Sequence, residues 1–273
     1  MNLTAITDPE DVVSLHFLDS AALLTLADLK DKTVVDVGTG AGFPGMPLKI
    51  LEPSIRMTLL DSLGKRITFL QEVCNELGLQ NVQCVHARAE EFAAEHRQSF
   101  DFAVSRAVAN LSVLCELCLP LVKAGGYFLS MKSVESDEEL ESAKKAIKIL
   151  GGQVERTADY QIPGTEVVHR VIFIKKIAET PKKYPRPFAK IKKNPLYLNS
   201  KTIVVNCIQN RQSTLTKALY KQAEVGLEAV LLLRCGYTQQ DKSFRMQRIW
   251  DSAFNNQWML KKKCEDIQND LTT

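Results

Sequence analysis

Residues 34–45, Val-Val-Asp-Val-Gly-Thr-Gly-Ala-Gly-Phe-Pro-Gly, constrain this chain more than any other stretch. Val34 to Val37 form a short apolar run of the kind buried on both faces of a parallel sheet. The run carries an acid, Asp36, and passes directly into a turn with Gly38, Gly40, Gly42 and Gly45. Glycine at alternate positions admits positive φ and lets backbone N–H groups approach a ligand with no Cβ in the way. Strand, acid and glycine turn together predict a nucleotide-type cofactor pocket at the carboxyl end of a parallel strand.

The glycines alone do not choose the cofactor. Residues 40–45 also satisfy G-x-G-x-x-G, the dinucleotide pattern in which a helix amino terminus holds a pyrophosphate. Asp36 opposes that reading, because its carboxylate would face the pyrophosphate. Pro44 and Pro47 oppose it too, because they remove N–H donors from the first helical turn. The sulfonium and ammonium of S-adenosylmethionine suit an acid beside a glycine turn better. Residues 57–61 read as a second strand, with Asp61 placed to accept hydrogen bonds from ribose hydroxyls of either cofactor. Val82–His86 reads as a third strand, followed by Ala89 and Glu90 where an adenine edge would lie. Phe100–Arg106 reads as a fourth, ending in Ser-Arg-Ala.

The rest alternates helix and strand. Asp8 is placed to cap a first helix running to about residue 29, with Pro9 at its first position. Ile67, Leu70, Cys74 and Leu77 fall at helical spacing and stop at Gly78. Residues 126–132 read as a fifth strand. Residues 136–150 read as an amphipathic helix with a Ser136/Glu139 capping box. Residues 153–161 and 169–175 read as a closing antiparallel pair. This order predicts a doubly wound, mostly parallel sheet flanked by helices.

Composition narrows the class. The chain has 273 residues, 45% hydrophobic and 25% charged, enough for one sizeable α/β domain with an appendage. No apolar stretch reaches membrane-spanning length and no signal peptide is recognisable, which predicts a cytoplasmic protein with no membrane partner. Seven irregularly spaced cysteines fit reduced thiols. Cys115 and Cys118 form C-x-x-C inside an apolar run and are expected to pack in the core, and no metal site is expected. His16, His86, His96 and His169 are scattered and read as structural or exposed.

Charge is segregated. Residues 1–174 carry a net −8, residues 175–193 a net +7 and residues 194–273 a net +4. The dense basic stretch predicts a local RNA-facing patch, with Lys182, Lys183, Arg186, Lys190, Lys192 and Lys193 on phosphates and Tyr184 and Phe188 stacking on bases. The opposing reading is a solubilising linker.

Seven phrases occur in order: residues 1–6, His-Phe-Leu-Asp-Ser at 16–20, residues 36–45, Leu-Asp-Ser-Leu-Gly-Lys-Arg at 60–66, Arg-Ala-Glu at 88–90, Ser-Arg-Ala-Val-Ala at 105–109 and Lys-Tyr-Pro-Arg at 183–186. With these the chain, over about residues 1–186, resembles the ribosomal RNA small subunit methyltransferase G (RsmG/GidB) family. The resemblance implies a class I, Rossmann-like methyltransferase with a seven-stranded, mostly parallel sheet. It implies transfer of methyl from S-adenosylmethionine to N7 of one guanosine in 16S ribosomal RNA of the small subunit. By motif, Gly38, Phe43, Ala89, Glu90 and Arg106 would contact the cofactor, joining Asp36, Gly40, Gly42 and Asp61. Lys65, Arg66, Lys132, Lys183 and Arg186 would face RNA. Family members carry helices ahead of the Met-Asn-Leu-Thr phrase, so residues 1–30 are expected to be a shortened helical segment. Residues 31–178 would form the methyltransferase domain, 179–198 the basic segment and 199–273 an extension of unknown role. The tail offers a strand near 202–207, a helix over 215–233, and Trp250 and Trp258.

Guanine N7 has an in-plane lone pair and no proton, so the reaction needs alignment and electrostatics rather than a general base. No nucleophile–base pair is expected; Arg106 is the best contributor, and a monomer suffices. Two other readings stay open. One is an NAD-linked oxidoreductase, which would share Asp61. The other is a non-catalytic RNA-binding relic of the methyltransferase fold.

Overall fold

The computed structural model describes residues 8–106 and 109–196. The readings for residues 1–6, the 202–207 strand, the 215–233 helix and both tryptophans lie outside the described residues.

The described chain opens on α1 (Pro9–Val12), where the Asp11 N–H donates to Asp8 Oδ1 at 3.2 Å, the expected cap. The expected single helix is broken. A π-helical turn, Val13–Leu18, follows α1, and then come the short α2 (Asp19–Ala21) and α3 (Leu23–Leu26). From there strand and helix alternate: β1 (Thr33–Val37), α4 (Gly45–Leu51), β2 (Arg56–Asp61), α5 (Gly64–Glu76), β3 (Val82–His86), α6 (Ala89–Glu95), β4 (Phe100–Arg106), α7 (Leu111–Cys118), β5 (Val122–Ser133) and α8 (Asp137–Ile149). The antiparallel pair β6 (Gly152–Gln161) and β7 (Val168–Lys176) closes the sheet, and α9 (Phe188–Lys193) follows.

The seven strands lie in the order β3-β2-β1-β4-β5-β7-β6, with β1 to β5 parallel and β7 inserted antiparallel between β5 and β6. Side chains alternate across each strand, so Val34 and Val35 enter different cores. Val34 packs with Leu23, Met46, Leu59 and Leu70 under α3, α4 and α5, whereas Val35 packs with Leu114, Phe128 and Ile147 under α7 and α8. In α5 the inward positions Ile67, Leu70, Val73 and Cys74 are buried, and Gly78 ends the helix at φ 61°. Cys115 and Cys118 are fully buried in α7, as expected of core thiols.

The Ser136/Glu139 capping box does not form. Ser136 makes no side-chain cap bond, and Glu139 Oε1 instead accepts from Lys132 Nζ and the Leu111 N–H. Strand order reverses at β1: successive strands run outward to β3 and then restart at β4 on the other side. A ligand crevice belongs at that switch point, outside the carboxyl ends of β1 and β4.

Candidate cofactor and substrate site

The turn after β1 is braced by its own acid. Asp36 is fully buried. Its Oδ2 accepts from Thr39 Oγ1 at 2.7 Å and from the Gly45 N–H at 2.9 Å, while Oδ1 has no partner among the described residues. Burial pushes this carboxyl up to about 6, against the pull of Thr39 and Gly45. The first function of Asp36 is thus to hold the turn against α4. One buried oxygen is left without a donor, and such an oxygen favours a nearby cation.

The amides of the turn are directed inward. Gly38 and Thr39 N–H donate to the Leu60 carbonyl at 2.8 and 3.1 Å, and Gly42 and Phe43 N–H donate to the Thr39 carbonyl at 2.8 and 3.1 Å. The Gly40 N–H donates to Asp61 Oδ2 at 3.0 Å. A pyrophosphate, which needs free amides, finds these five committed. At Gly40 an added Cβ would meet nothing closer than the Gly38 carbonyl at 3.9 Å, so the open face of the turn is there. At Gly45 it would strike Leu59 Cδ2 at 2.4 Å and Asp36 Oδ2 at 2.9 Å; this glycine lets α4 pack on the strands. A buried acid with one oxygen spare, an open glycine face and a second acid at the end of β2 fit a cationic nucleoside.

Phe43, expected to contact the cofactor, has a buried side chain. Its ring is buried against His16 (centroids 4.9 Å) and Phe17 (5.2 Å), with the Arg106 guanidinium 5.1 Å from its centre.

Arg106 ends β4 and enters a polar cluster that the sequence did not reveal. Nη1 donates to the Leu15 carbonyl at 2.8 Å and to Asp19 Oδ2 at 2.9 Å, and Nη2 lies 3.0 Å from His16 Nδ1. His16 Nδ1 also lies 3.1 Å from the Leu15 carbonyl, so this ring nitrogen sits between a donor and an acceptor. Burial, then the Arg106 charge, lowers His16 to about 4 and keeps it neutral. Asp19, fully buried, also accepts from Tyr160 Oη at 2.6 Å and His169 Nδ1 at 2.7 Å. Burial raises this carboxyl, but the His169 bond and charge, the Arg106 charge and the Tyr160 hydroxyl together hold it below the usual range. One carboxylate therefore ties α2 to β4, β6 and β7 beside the crevice. His16 and His169, read as scattered, belong to one cluster. The available signal was the His16/Asp19 pair three residues apart in an otherwise apolar segment.

The remaining predicted residues divide. Ala89 opens α6 and packs on the core, and Glu90 Oε1 accepts from the Phe188 N–H at 3.2 Å. Lys65, Arg88 and Lys183 are exposed. Arg66 pairs with Asp61 at 3.2 Å. Lys132 and Arg186, both expected to face RNA, are engaged within the protein. Lys132 is internal, bonded to Glu139 and to the Ala109 carbonyl, both at 2.8 Å. Arg186 makes a two-pronged pair with fully buried Glu116 at 2.8 and 2.7 Å. Tyr184 is buried and Phe188 is half-buried against the core, so neither is a base-stacking platform. Among the described residues no group of His, Cys, Asp and Glu could hold a metal ion.

Residues 1–168 match the family described as rRNA small subunit methyltransferase G. The relative so named in Clostridium botulinum (strain 657 / Type Ba4) is 51% identical over 199 residues, 72% of this chain and 83% of its own length. The one from Alkaliphilus oremlandii is 52% identical over the same shares. The chain belongs to this family. Among solved structures, a SAM-dependent methyltransferase from Aquifex aeolicus is 21% identical, covering 62% of this chain and 99% of that one with a TM-score of 0.46. Family membership makes the chain a methyltransferase rather than a hydride-transferring oxidoreductase. No helix among the described residues is long and apolar enough to cross a membrane.

Proposed function

We propose that this chain transfers the methyl group of S-adenosylmethionine to N7 of a guanosine in 16S ribosomal RNA of the small subunit. The observation that carries the reading is the arrangement at the strand-order reversal: a buried, half-partnered Asp36, the open face of Gly40, Asp61 at the next strand end and Arg106 across the crevice. Membership of an rRNA methyltransferase family supports the substrate class.

When bound, S-adenosylmethionine supplies an electrophilic methyl on a sulfonium sulfur. Asp61 would take the ribose hydroxyls, and Ala89 and Glu90, at the start of α6, would bound the adenine. The turn at Gly38, Gly40 and Gly42 would pass under the methionine part, with Asp36 favouring its positive charge. Guanine N7 offers a lone pair and loses no proton, so none of these groups has to act as a base. Their work is alignment and charge placement in a site of low dielectric. Arg106 has Nη1 committed to the Leu15 carbonyl and Asp19, with Nη2 beside His16, which aims the guanidinium. Its remaining donors suit the oxygen edge of a guanine. In A-form RNA that edge lies in a groove side chains cannot enter, so the target base must be unpaired or swung out.

Residues 31–178 would make up the catalytic domain and 179–198 a basic RNA-facing segment, with 1–30 and 199–273 flanking them. Leu63, Val167 and Ile177 are the exposed large hydrophobics among the described residues, a sparse set that fits a monomer.

The test is methyl incorporation from labelled S-adenosylmethionine into unmodified 16S RNA, naked and in the small subunit, with the base identified by cleavage specific to N7-methylguanine. Label at a guanine N7 is expected. Cofactor binding without transfer would favour the RNA-binding relic, and binding of NAD in its place would favour the oxidoreductase.

A further inference from the structure

Asp61 is oversubscribed. Its Oδ1 accepts from the Leu63 N–H at 2.9 Å, and its Oδ2 accepts from the Gly40 N–H at 3.0 Å and from Arg66 Nη1 at 3.2 Å. A carboxylate oxygen has two lone pairs, so Oδ2 is filled by the protein itself and Oδ1 has one place left. A ribose presents two adjacent hydroxyls and needs a place on each oxygen. One donor on Oδ2 has to give way. The Gly40 amide is fixed by the turn, whose neighbours Gly38 and Thr39 are bonded to Leu60. Arg66 is a side chain on the first turn of α5, 37% exposed, while Asp61 is 4% exposed. Arg66 is the donor that can leave.

We propose that the cofactor's ribose and Arg66 compete for Asp61 Oδ2, so that cofactor binding releases Arg66 to an RNA phosphate. This rests on the reading of the crevice as the S-adenosylmethionine site. A free guanidinium at the rim joins Lys65 on the same turn and Arg88 at the start of α6, both exposed and without ion pairs among the described residues. The surface beside the loaded site then carries one more unpaired positive charge than the surface beside the empty one. By linkage the effect is reciprocal: RNA that holds Arg66 away from Asp61 tightens the cofactor by the same factor. The arrangement favours RNA binding to molecules already carrying a methyl donor.

S-Adenosylhomocysteine is the probe, because its thioether is neutral and adds no charge that would attract RNA by itself. Affinity for a 16S RNA fragment containing the target is measured by fluorescence anisotropy with and without saturating S-adenosylhomocysteine, in the full chain and in Arg66→Ala. In the unmodified chain the probe is expected to tighten RNA binding by about fivefold, the lower end of ordinary coupling between sites. Its analogue lacking both ribose hydroxyls should produce no tightening. Arg66→Ala should bind the probe at least as tightly as the parent, which also shows that it is folded, and its RNA affinity should no longer respond. A response that persists in Arg66→Ala, or an unmodified chain that binds both partners with no coupling, overturns the proposal while sparing the functional reading. Failure of the unmodified chain to bind the probe overturns both.

Discussion

Asp36 and Asp19 are both buried carboxyls beside the crevice, and they respond to pH in opposite directions. Burial raises Asp36 to about 6 in the folded chain, above the ordinary carboxyl value. Between about pH 4 and 6 the folded state holds a proton that the unfolded state has released, so this group lowers stability as pH rises through that window. The rise is worth at most about 3 kcal/mol. Asp36→Asn keeps an oxygen for Thr39 and Gly45 and removes the charge. The expected outcome at pH 7.5 is equal or greater thermal stability than the parent, with weaker S-adenosylmethionine binding; melts at pH 5 and 7.5 with calorimetric titration check both. Asp19 runs the other way. Its folded value is depressed, so its contribution is present above the ordinary carboxyl range and lost as pH falls below about 4. Asp19→Ala leaves Arg106 without its carboxylate and Tyr160 and His169 without their acceptor, at a cost of about 3–5 kcal/mol. A matching fall in the urea-derived stability at pH 7.5 is expected, and a parent-like value would show that the cluster contributes little.

The glycine turn and the helices around it separate stability from binding in a testable way. Gly45→Ala drives a methyl into Leu59 and Asp36 and should cost about 1–3 kcal/mol through overpacking. Gly40→Ala meets no neighbour and pays only for its φ of 61°, on the order of 1 kcal/mol. Its methyl nevertheless stands on the open face, so cofactor affinity should fall further than stability does. Thermal melts and cofactor titration of the two variants distinguish packing from ligand contact. This turn was legible in the sequence because every determinant lies within a dozen residues and glycine spacing reports backbone geometry directly. Helix α5 was legible for the same reason: periodicity and a terminal glycine are local signals. The capping box at Ser136 was not, because Glu139 was claimed by Lys132 and by the amide of Leu111, which only the fold brings near. Asp19 and His169 are 150 residues apart and meet through the antiparallel insertion of β7. Glu116 did carry an unread signal: a lone acid in the apolar helix α7 demands a cation, and Arg186 supplies it.

At the scale of the molecule, charge segregation becomes a docked surface rather than a loose linker. Tyr184 and Ile191 are buried in the core beneath α7 and α8. Arg97 donates to the carbonyls of Thr180 and Tyr184, both at 2.6 Å, Glu116 grips Arg186, and Glu90 at the edge of the crevice takes the Phe188 N–H. The segment is thereby fixed next to α6, and Lys182, Lys183, Lys190, Lys192 and Lys193 remain exposed on it. Phosphate contacts release counterions, so each lysine that binds RNA adds roughly 0.7–0.9 to the steepness with which affinity falls against salt concentration on logarithmic axes. Changing the five lysines to glutamine should weaken RNA binding and flatten that dependence by up to about 4, while leaving S-adenosylmethionine affinity unchanged. Arg186→Ala is the contrasting variant. It strands a fully buried Glu116 and should lower stability by about 3–5 kcal/mol. Because Arg186 is already occupied, the salt dependence measured on the folded fraction should stay parental. If instead Arg186→Ala flattens the salt dependence and the lysine variant does not, the RNA-facing charge lies on the arginine and the exposed lysines serve only to solvate this edge.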